Sequence, residues 1–182
     1  MITLALYNSY DPKKLHDAHL RAIARAAPIC YAFEFHLAIV GFPFDNKKAV
    51  ELAEEIAQNT TIGESGKYLI ELSKKDKFHV LEFPKKGFPP QFGHLVATTR
   101  KPDDKKAIKS MEIAKRALKG ESFLLLVGLG RHGLPKEIFK LSEYHLDITD
   151  GRGISLETCT AIGSIPAKIR TQMEALKWMR KW

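Results

Sequence analysis

Apolar residues in this chain gather into short runs separated by stretches whose apolar positions recur at helical spacing. Ile2 to Tyr7 alternates weakly and stops at Asn8, Ser9 and Asp11-Pro12, a strand followed by a turn. Lys13 to Ala26 places Leu15, Ala18, Ala22, Ile23 and Ala26 on one helical face. Phe35 to Gly41 is a buried strand, and Asn46 or Asp45 would cap a helix running to about Gln58. Asn59 to Gly66 is a polar loop, Lys67 to Ser73 a short helix, and Phe78 to Phe83 a strand. Leu95 to Thr99 is the next strand, after which Pro102 and Asp103-Asp104 open a helix that Gly120 ends beyond Leu118. Phe123 to Val127 is apolar without interruption, as a strand buried on both faces of a parallel sheet requires.

Two strand-to-loop-to-helix passages then follow at close spacing. Gly128 to Leu134 is a glycine-rich turn, with Pro135 and Glu137 suited to a helix start. His145 to Ile148 is a short strand, Thr149 to Ile154 a polar glycine loop, and Ser155 an N-cap before Leu156 to Ile165. Pro166 separates that helix from an amphipathic one over Ala167 to Trp182. Alternation of strands and helices predicts an α/β fold, a mostly parallel sheet with helices on both faces. Ligands of such sheets bind just beyond the carboxyl ends of the strands, where Gly128, Gly130 and Gly133 would let backbone approach without a Cβ in the way.

Length, charge and cysteine usage narrow the class. With 182 residues and no repeat or flexible linker, the chain reads as one domain over residues 1–182. No apolar stretch reaches the roughly 20 residues that span a bilayer, and Met1 to Ala5 lacks the features of a signal peptide, so a cytoplasmic protein is expected. Cys30 and Cys159 suggest neither a disulfide framework nor a cysteine metal site. A net charge of +8 favours phosphate backbones as partners, with clusters at Lys74, Lys75, Lys77, Lys85 and Lys86 and from Lys168 through Arg170, Lys177, Arg180 and Lys181. The segment 84–93, PKKGFPPQFG, interleaves lysines with phenylalanines. It either offers stacking faces to unpaired bases or is a proline-stiffened connector whose rings plug the core or a subunit interface. His16 and His19 stand at a spacing that metals accept, although a solvated helix face explains them as well.

GLGRHGLP and ISLETCTAIGSI resemble the second and third motifs of the SPOUT superfamily of S-adenosylmethionine-dependent RNA methyltransferases, whose chain forms a deep trefoil knot at these loops. Against the SpoU-type pattern G-x-E-x-x-G-L, I-P-M-x-G and S-L-N, the matching residues are Gly128, Gly133, Leu134, Ile148, Gly151, Ser155, Leu156 and Ala161. Gly130 stands where that pattern has glutamate, Glu157 where it has asparagine, and Thr149-Asp150 replace Pro-Met, so the chain is closer to an uncharacterised archaeal branch related to SpoU.

The resemblance implies a knot over residues 95–166, a terminal helix over 167–182, a homodimer that buries Trp178 and Trp182, and transfer or ribosomal RNA as substrate. It also implies S-adenosyl-L-methionine held by Thr98, Gly128, Gly130, Gly133, Ile148, Ile154 and Leu156, with no metal. The acceptor is a ribose 2′-hydroxyl or a base nitrogen. Arg131 and Arg100 would stabilise a developing alkoxide or grip a phosphate, and Glu157, or Asp150, would take a proton. Two other readings stay open: a noncatalytic RNA-binding protein with this fold, and an α/β enzyme binding a nucleotide. GLGRHG lacks the Gly-Lys-Ser or Gly-Lys-Thr of a phosphate-binding lysine loop.

Overall fold

Two six-residue strands form the middle of the sheet, β1 (Ile2–Tyr7) and β5 (Phe123–Gly128), paired in parallel with Ile2 opposite Phe123 and Tyr7 opposite Gly128. The computed structural model describes residues 1–44 and 48–179. Between and after these strands come α1 (Asp17–Ala32), β2 (His36–Val40), α2 (Ala49–Ala57), α3 (Gly66–Lys74), β3 (Phe78–Leu81), β4 (His94–Thr98), α4 (Ser110–Ala117), α5 (Lys136–Leu141), β6 (Tyr144–Leu146) and α6 (Thr158–Met179). The strand order is β3-β2-β1-β5-β4-β6, and every neighbouring pair is parallel.

Alternate strand residues face opposite sides. Leu4, Leu6, Leu37, Ile39, Leu125 and Val127 pack beneath α1, α2, α3, α4 and α6, whereas Ala5, Tyr7, Ala38, Val40, Leu124 and Leu126 meet Leu134, Ile138 and Phe92 on the other side. Among the described residues the α-helices are thus unequally divided, five on one face and the short α5 on the other. A single hand of crossover explains the division. Steps from β1 to β2 and from β4 to β5 run one way along the sheet and carry α1 and α4 over one face. Steps from β3 to β4 and from β5 to β6 run the other way, and so carry the 84–93 loop and α5 over the opposite face. In that loop Phe92 is buried, Phe88 packs beside it, and the Phe83 ring, just before it, lies 5.2 Å from that of Tyr7. Phe92 thus serves the core and Phe88 packs against it, while Phe83 remains 36% exposed.

Several element boundaries differ from the sequence expectation, among them the end of α1, which runs past Ala26 and through Pro28 to Ala32. Helix α1 begins at Asp17, not Lys13, because the Asp11 carboxylate accepts hydrogen bonds from the N–H groups of Lys13 and Lys14 and holds them in a turn. The helix expected over 103–118 is confined to Ser110–Ala117. Ahead of it Ala107 bridges His145 in parallel, and Lys106 Nζ donates to the carbonyls of Phe139, Lys140 and Ser142, which keeps this stretch extended along β6. Ser155 does not cap a helix, since α6 starts at Thr158. Nor does Pro166 break it: α6 continues through the proline to Met179, with Ile162, Ile165, Pro166 and Ile169 buried together against the core. Helix α2 starts at Ala49, and its expected caps Asp45 and Asn46 lie outside the described residues, as do Arg180, Lys181 and Trp182. Trp178 is 64% exposed in the single chain.

Candidate functional site

Loops leaving the carboxyl ends of β4, β5 and β6 converge on one cleft of about 790 Å³. Ten of the residues singled out from the sequence line it, Thr98 and Arg100 after β4, Gly128, Gly130, Arg131 and Gly133 after β5, and Ile148, Ile154, Leu156 and Glu157 after β6, whereas Asp150 does not. Thr98 Oγ1 donates to the Leu126 carbonyl at 2.7 Å and so ties β4 to β5 at the cleft.

The fold of the loop itself requires these glycines. A Cβ on Gly128 would fall 2.5 Å from the Gly133 carbonyl carbon, since the loop turns back over its own start. One on Gly130 would fall 2.2 Å from the Ser9 carbonyl oxygen, and the Gly130 N–H donates to Ser9 Oγ at 2.8 Å, seating the loop on the end of β1. Gly133 has open space where a Cβ would sit, but its φ of +70° disfavours any other residue.

The loop after β6 is organised by Asp147, which the sequence reading passed over. Its carboxylate accepts hydrogen bonds from Thr149 N (2.8 Å), Thr149 Oγ1 (2.6 Å), Gly151 N (3.0 Å) and Gly153 N (3.1 Å). Partial burial pushes this carboxyl up, yet the hydrogen bonds outweigh it and hold the net value below the ordinary aspartate range. The spacing Asp-x-Thr-x-Gly-x-Gly is the signal that was available, an aspartate bonding its own backbone ahead through glycines with positive φ. Helix α6 braces the same loop through Lys168, whose Nζ donates to the Ile148 carbonyl and pairs with Asp150, and it reaches the end of β5 through Thr158 Oγ1, which donates to the Gly128 carbonyl. Asp150 is therefore engaged and is no free proton acceptor. Beyond this brace the main-chain N–H groups of Ile154, Ser155, Leu156 and Glu157 donate to nothing among the described residues. A row of open donors along a cleft wall is what an adenine edge, a carboxylate or a ribose would use.

The charged lining is one-sided. Arg100 and Arg131 are joined there by Arg25 of α1, which the sequence reading did not select because only the packing of α1 brings it to this end of the sheet. None of the three has a hydrogen bond or ion pair from its guanidinium among the described residues. Of the carboxylates in the lining, Asp147 is consumed by its loop, which leaves Glu157, whose Oε2 accepts only a long contact of 3.7 Å from Cys159 Sγ. His132 also lines the cleft.

His16, the residue before α1, and His19 within it are both held by neighbouring side chains. His19 is fully buried, its Nδ1 accepting from the His16 N–H and its Nε2 donating to Asn8 Oδ1, so no nitrogen is left for a metal. His16 Nε2 pairs with Asp11 at 2.7 Å and helps hold that carboxyl down to about 2.

Comparison with known proteins follows the same direction. The profile of a family described as "Protein of unknown function (DUF531)" matches residues 2–170. A Methanocaldococcus jannaschii protein described as uncharacterized is 52% identical over 168 residues, 92% of each chain. Among solved structures, a probable methyltransferase from Bordetella pertussis superposes with a TM-score of 0.61 at 15% identity, over 94% of this chain and 95% of that one. A structure reported for the 2-OH methylation of C/U34 on tRNA gives 0.58 at 16% identity, over 95% and 91%. The SpoU methyltransferase AviRb from Streptomyces viridochromogenes, in complex with AdoMet, gives 0.51 at 14% identity, over 94% and 58%. The fold is that of the SpoU-type SPOUT methyltransferases.

Proposed function

The chain belongs to the DUF531 family of proteins of unknown function, and we propose that it is an S-adenosylmethionine-dependent methyltransferase of transfer or ribosomal RNA, modifying a ribose 2′-hydroxyl or a base nitrogen. One observation carries this reading: the three loops after β4, β5 and β6 close on one cleft that combines main-chain donors, three arginines and the Glu157 carboxylate, the donors and arginines unpaired among the described residues. Its volume lies in the range of small-molecule and cofactor sites, about 300–1,000 Å³. The names of the structural relatives support a methyl donor and an RNA substrate.

When bound, the cofactor supplies a methyl carbon on a sulfonium that leaves as a neutral thioether. The open N–H groups of 154–157 and the loop at Gly128–Gly133 would hold it, with Ile148, Ile154 and Leu156 giving apolar contact. Arg25, Arg100 and Arg131 would grip the phosphodiester beside the target nucleotide and offset charge developing on the acceptor oxygen. Glu157 would take the proton that the acceptor sheds as its new bond to carbon forms. Since an in-line displacement needs mainly alignment and exclusion of water, the rigid loops contribute most. In the same reading the chain is threaded as a trefoil over residues 95–166, pairs as a homodimer and works on RNA in the cytoplasm.

The test is calorimetric titration with S-adenosylmethionine and with S-adenosylhomocysteine, followed by methyl transfer to unmodified total RNA. Micromolar binding and incorporation of methyl into RNA are expected. A folded protein that binds neither compound would overturn the reading, and binding without transfer would favour a noncatalytic RNA-binding role.

A further inference from the structure

A smaller chamber of about 170 Å³ opens beside the cleft and shares Arg25, Leu129, Thr158 and Cys159 with it. Tyr10, from the turn after β1, and Arg21 of α1 complete its rim. Tyr10 is 55% exposed, and its hydroxyl has no hydrogen-bond partner among the described residues. The fold therefore draws little from this side chain. Its position is nevertheless closely held. The rings of His16 and His19 lie 5.4 and 5.7 Å from it at steep angles, and its N–H donates to Asn8 Oδ1. Each support is itself anchored, His16 by Asp11, His19 by Asn8 and the His16 N–H, and Asn8 Nδ2 by the carbonyls of Asp11 and Gly41. An exposed aromatic ring fixed in this way is a stacking platform with little freedom left to lose on binding.

Arg21 and Arg25 stand one helical turn apart on α1 at the same chamber, and neither guanidinium is paired among the described residues. A cavity of about 150 Å³ admits one benzene-sized ring, so the chamber takes a single nucleobase and excludes a base pair. We propose that it receives the base of an unpaired ribonucleotide, stacked on Tyr10, while Arg21 and Arg25 hold the phosphate next to it. This rests on the methyltransferase reading only in placing the target beside the donor cleft. It names the substrate class as looped, single-stranded or flipped-out RNA rather than the interior of a duplex.

Fluorescence anisotropy of a single-stranded RNA decamer and of its blunt duplex, against the whole protein at fixed salt, tests it. The wild type should prefer the single strand. Tyr10→Phe should keep that preference, whereas Tyr10→Leu, which retains the bulk without an aromatic face, should weaken the single strand about five- to hundredfold and leave the duplex unchanged. A 2-aminopurine placed mid-strand should be quenched on binding the wild type and Tyr10→Phe but not Tyr10→Leu, and thermal melts of all three should coincide. Undiminished binding by a folded Tyr10→Leu protein, or a wild type that binds no single strand, overturns the proposal. Titrating the same proteins with S-adenosylhomocysteine separates the two readings. Loss of that binding in the wild type with the Tyr10 effects intact removes the methyl donor and keeps the chamber, and the reverse pattern removes the chamber alone.

Discussion

Gly130 and Arg131 are chain neighbours with opposite obligations. Arg131 makes no hydrogen bond or ion pair among the described residues, so Arg131→Ala should leave stability within about 0.5 kcal/mol and leave S-adenosylhomocysteine affinity unchanged. Methyl transfer should nevertheless fall about a hundredfold, the usual cost of losing one group that stabilises a developing charge. A fully active variant would remove Arg131 from the catalytic set. Gly130→Ala should act otherwise. Its Cβ would meet the Ser9 carbonyl at 2.2 Å, so the loop must lift from β1, and melting temperature and cofactor affinity should drop together. For the same reason Gly130→Arg is no clean probe of the cofactor pocket. Asp147→Ala removes an acceptor from four donors of a partly buried loop and should cost about 1–3 kcal/mol in denaturant unfolding, with weakened S-adenosylhomocysteine binding, because the loop loses the group that organises it. The glycines were legible in the sequence, but their reason was not, since it depends on what the folded loop lies against. Arg25 was illegible because helical spacing says which residues share a face and not which strand end that face overlooks.

Strands were easier to read than helix limits. Phe123 to Val127 announces itself because burial on both faces leaves no polar position, and β5 extends it only to Gly128. Helix limits depend on competing bonds from remote partners, such as the grip of Lys106 on the carbonyls ahead of β6 or the burial that carries α6 through Pro166. The contact between β2 and β3 also escaped notice. His36 Nδ1 and His79 Nε2 are 2.9 Å apart with their rings nearly parallel. Burial, then His79, Lys77 and the amino terminus push His36 down to about 4, and burial lowers His79 despite Asp76. Both rings are neutral in the folded protein near neutrality. Between the unfolded value of about 6.5 and the folded value of His36, the unfolded chain binds more protons, so stability falls as pH falls through that window and is fully present above it. Denaturant midpoints should therefore drop on acidification across this range. His36→Gln keeps a polar partner for His79 and should flatten the slope. An unchanged slope would assign the acid sensitivity elsewhere.

Charge has to be weighed over the entire molecule, because the excess of +8 does not say which cations are free. The basic run from Lys168 onward looked like an RNA-facing tail, yet Lys168 is held by Ile148 and Asp150, and Arg170 by Glu34 and Glu174. Arg116 is likewise held by Glu112 and Glu121. Arg25, Arg100 and Arg131 are the cleft's unpaired cations among the described residues, and they come from three separate segments that only the folded sheet brings together. This distribution makes a prediction that net charge alone does not. For single-stranded RNA each phosphate contact contributes about −0.7 to the slope of log affinity against log salt. Alanine at Arg25, Arg100 or Arg131 should each reduce the magnitude of that slope by roughly one contact. Arg116→Ala and Arg170→Ala remove the same formal charge from side chains already neutralised by carboxylates, so they should lower the melting temperature and leave the slope unaltered. If Arg170→Ala moves the slope as far as Arg131→Ala, binding follows the average charge of the surface and the cleft has no special claim on RNA. If only the cleft arginines move it, RNA lies across the carboxyl ends of β4 and β5, within reach of the loops that would hold the methyl donor.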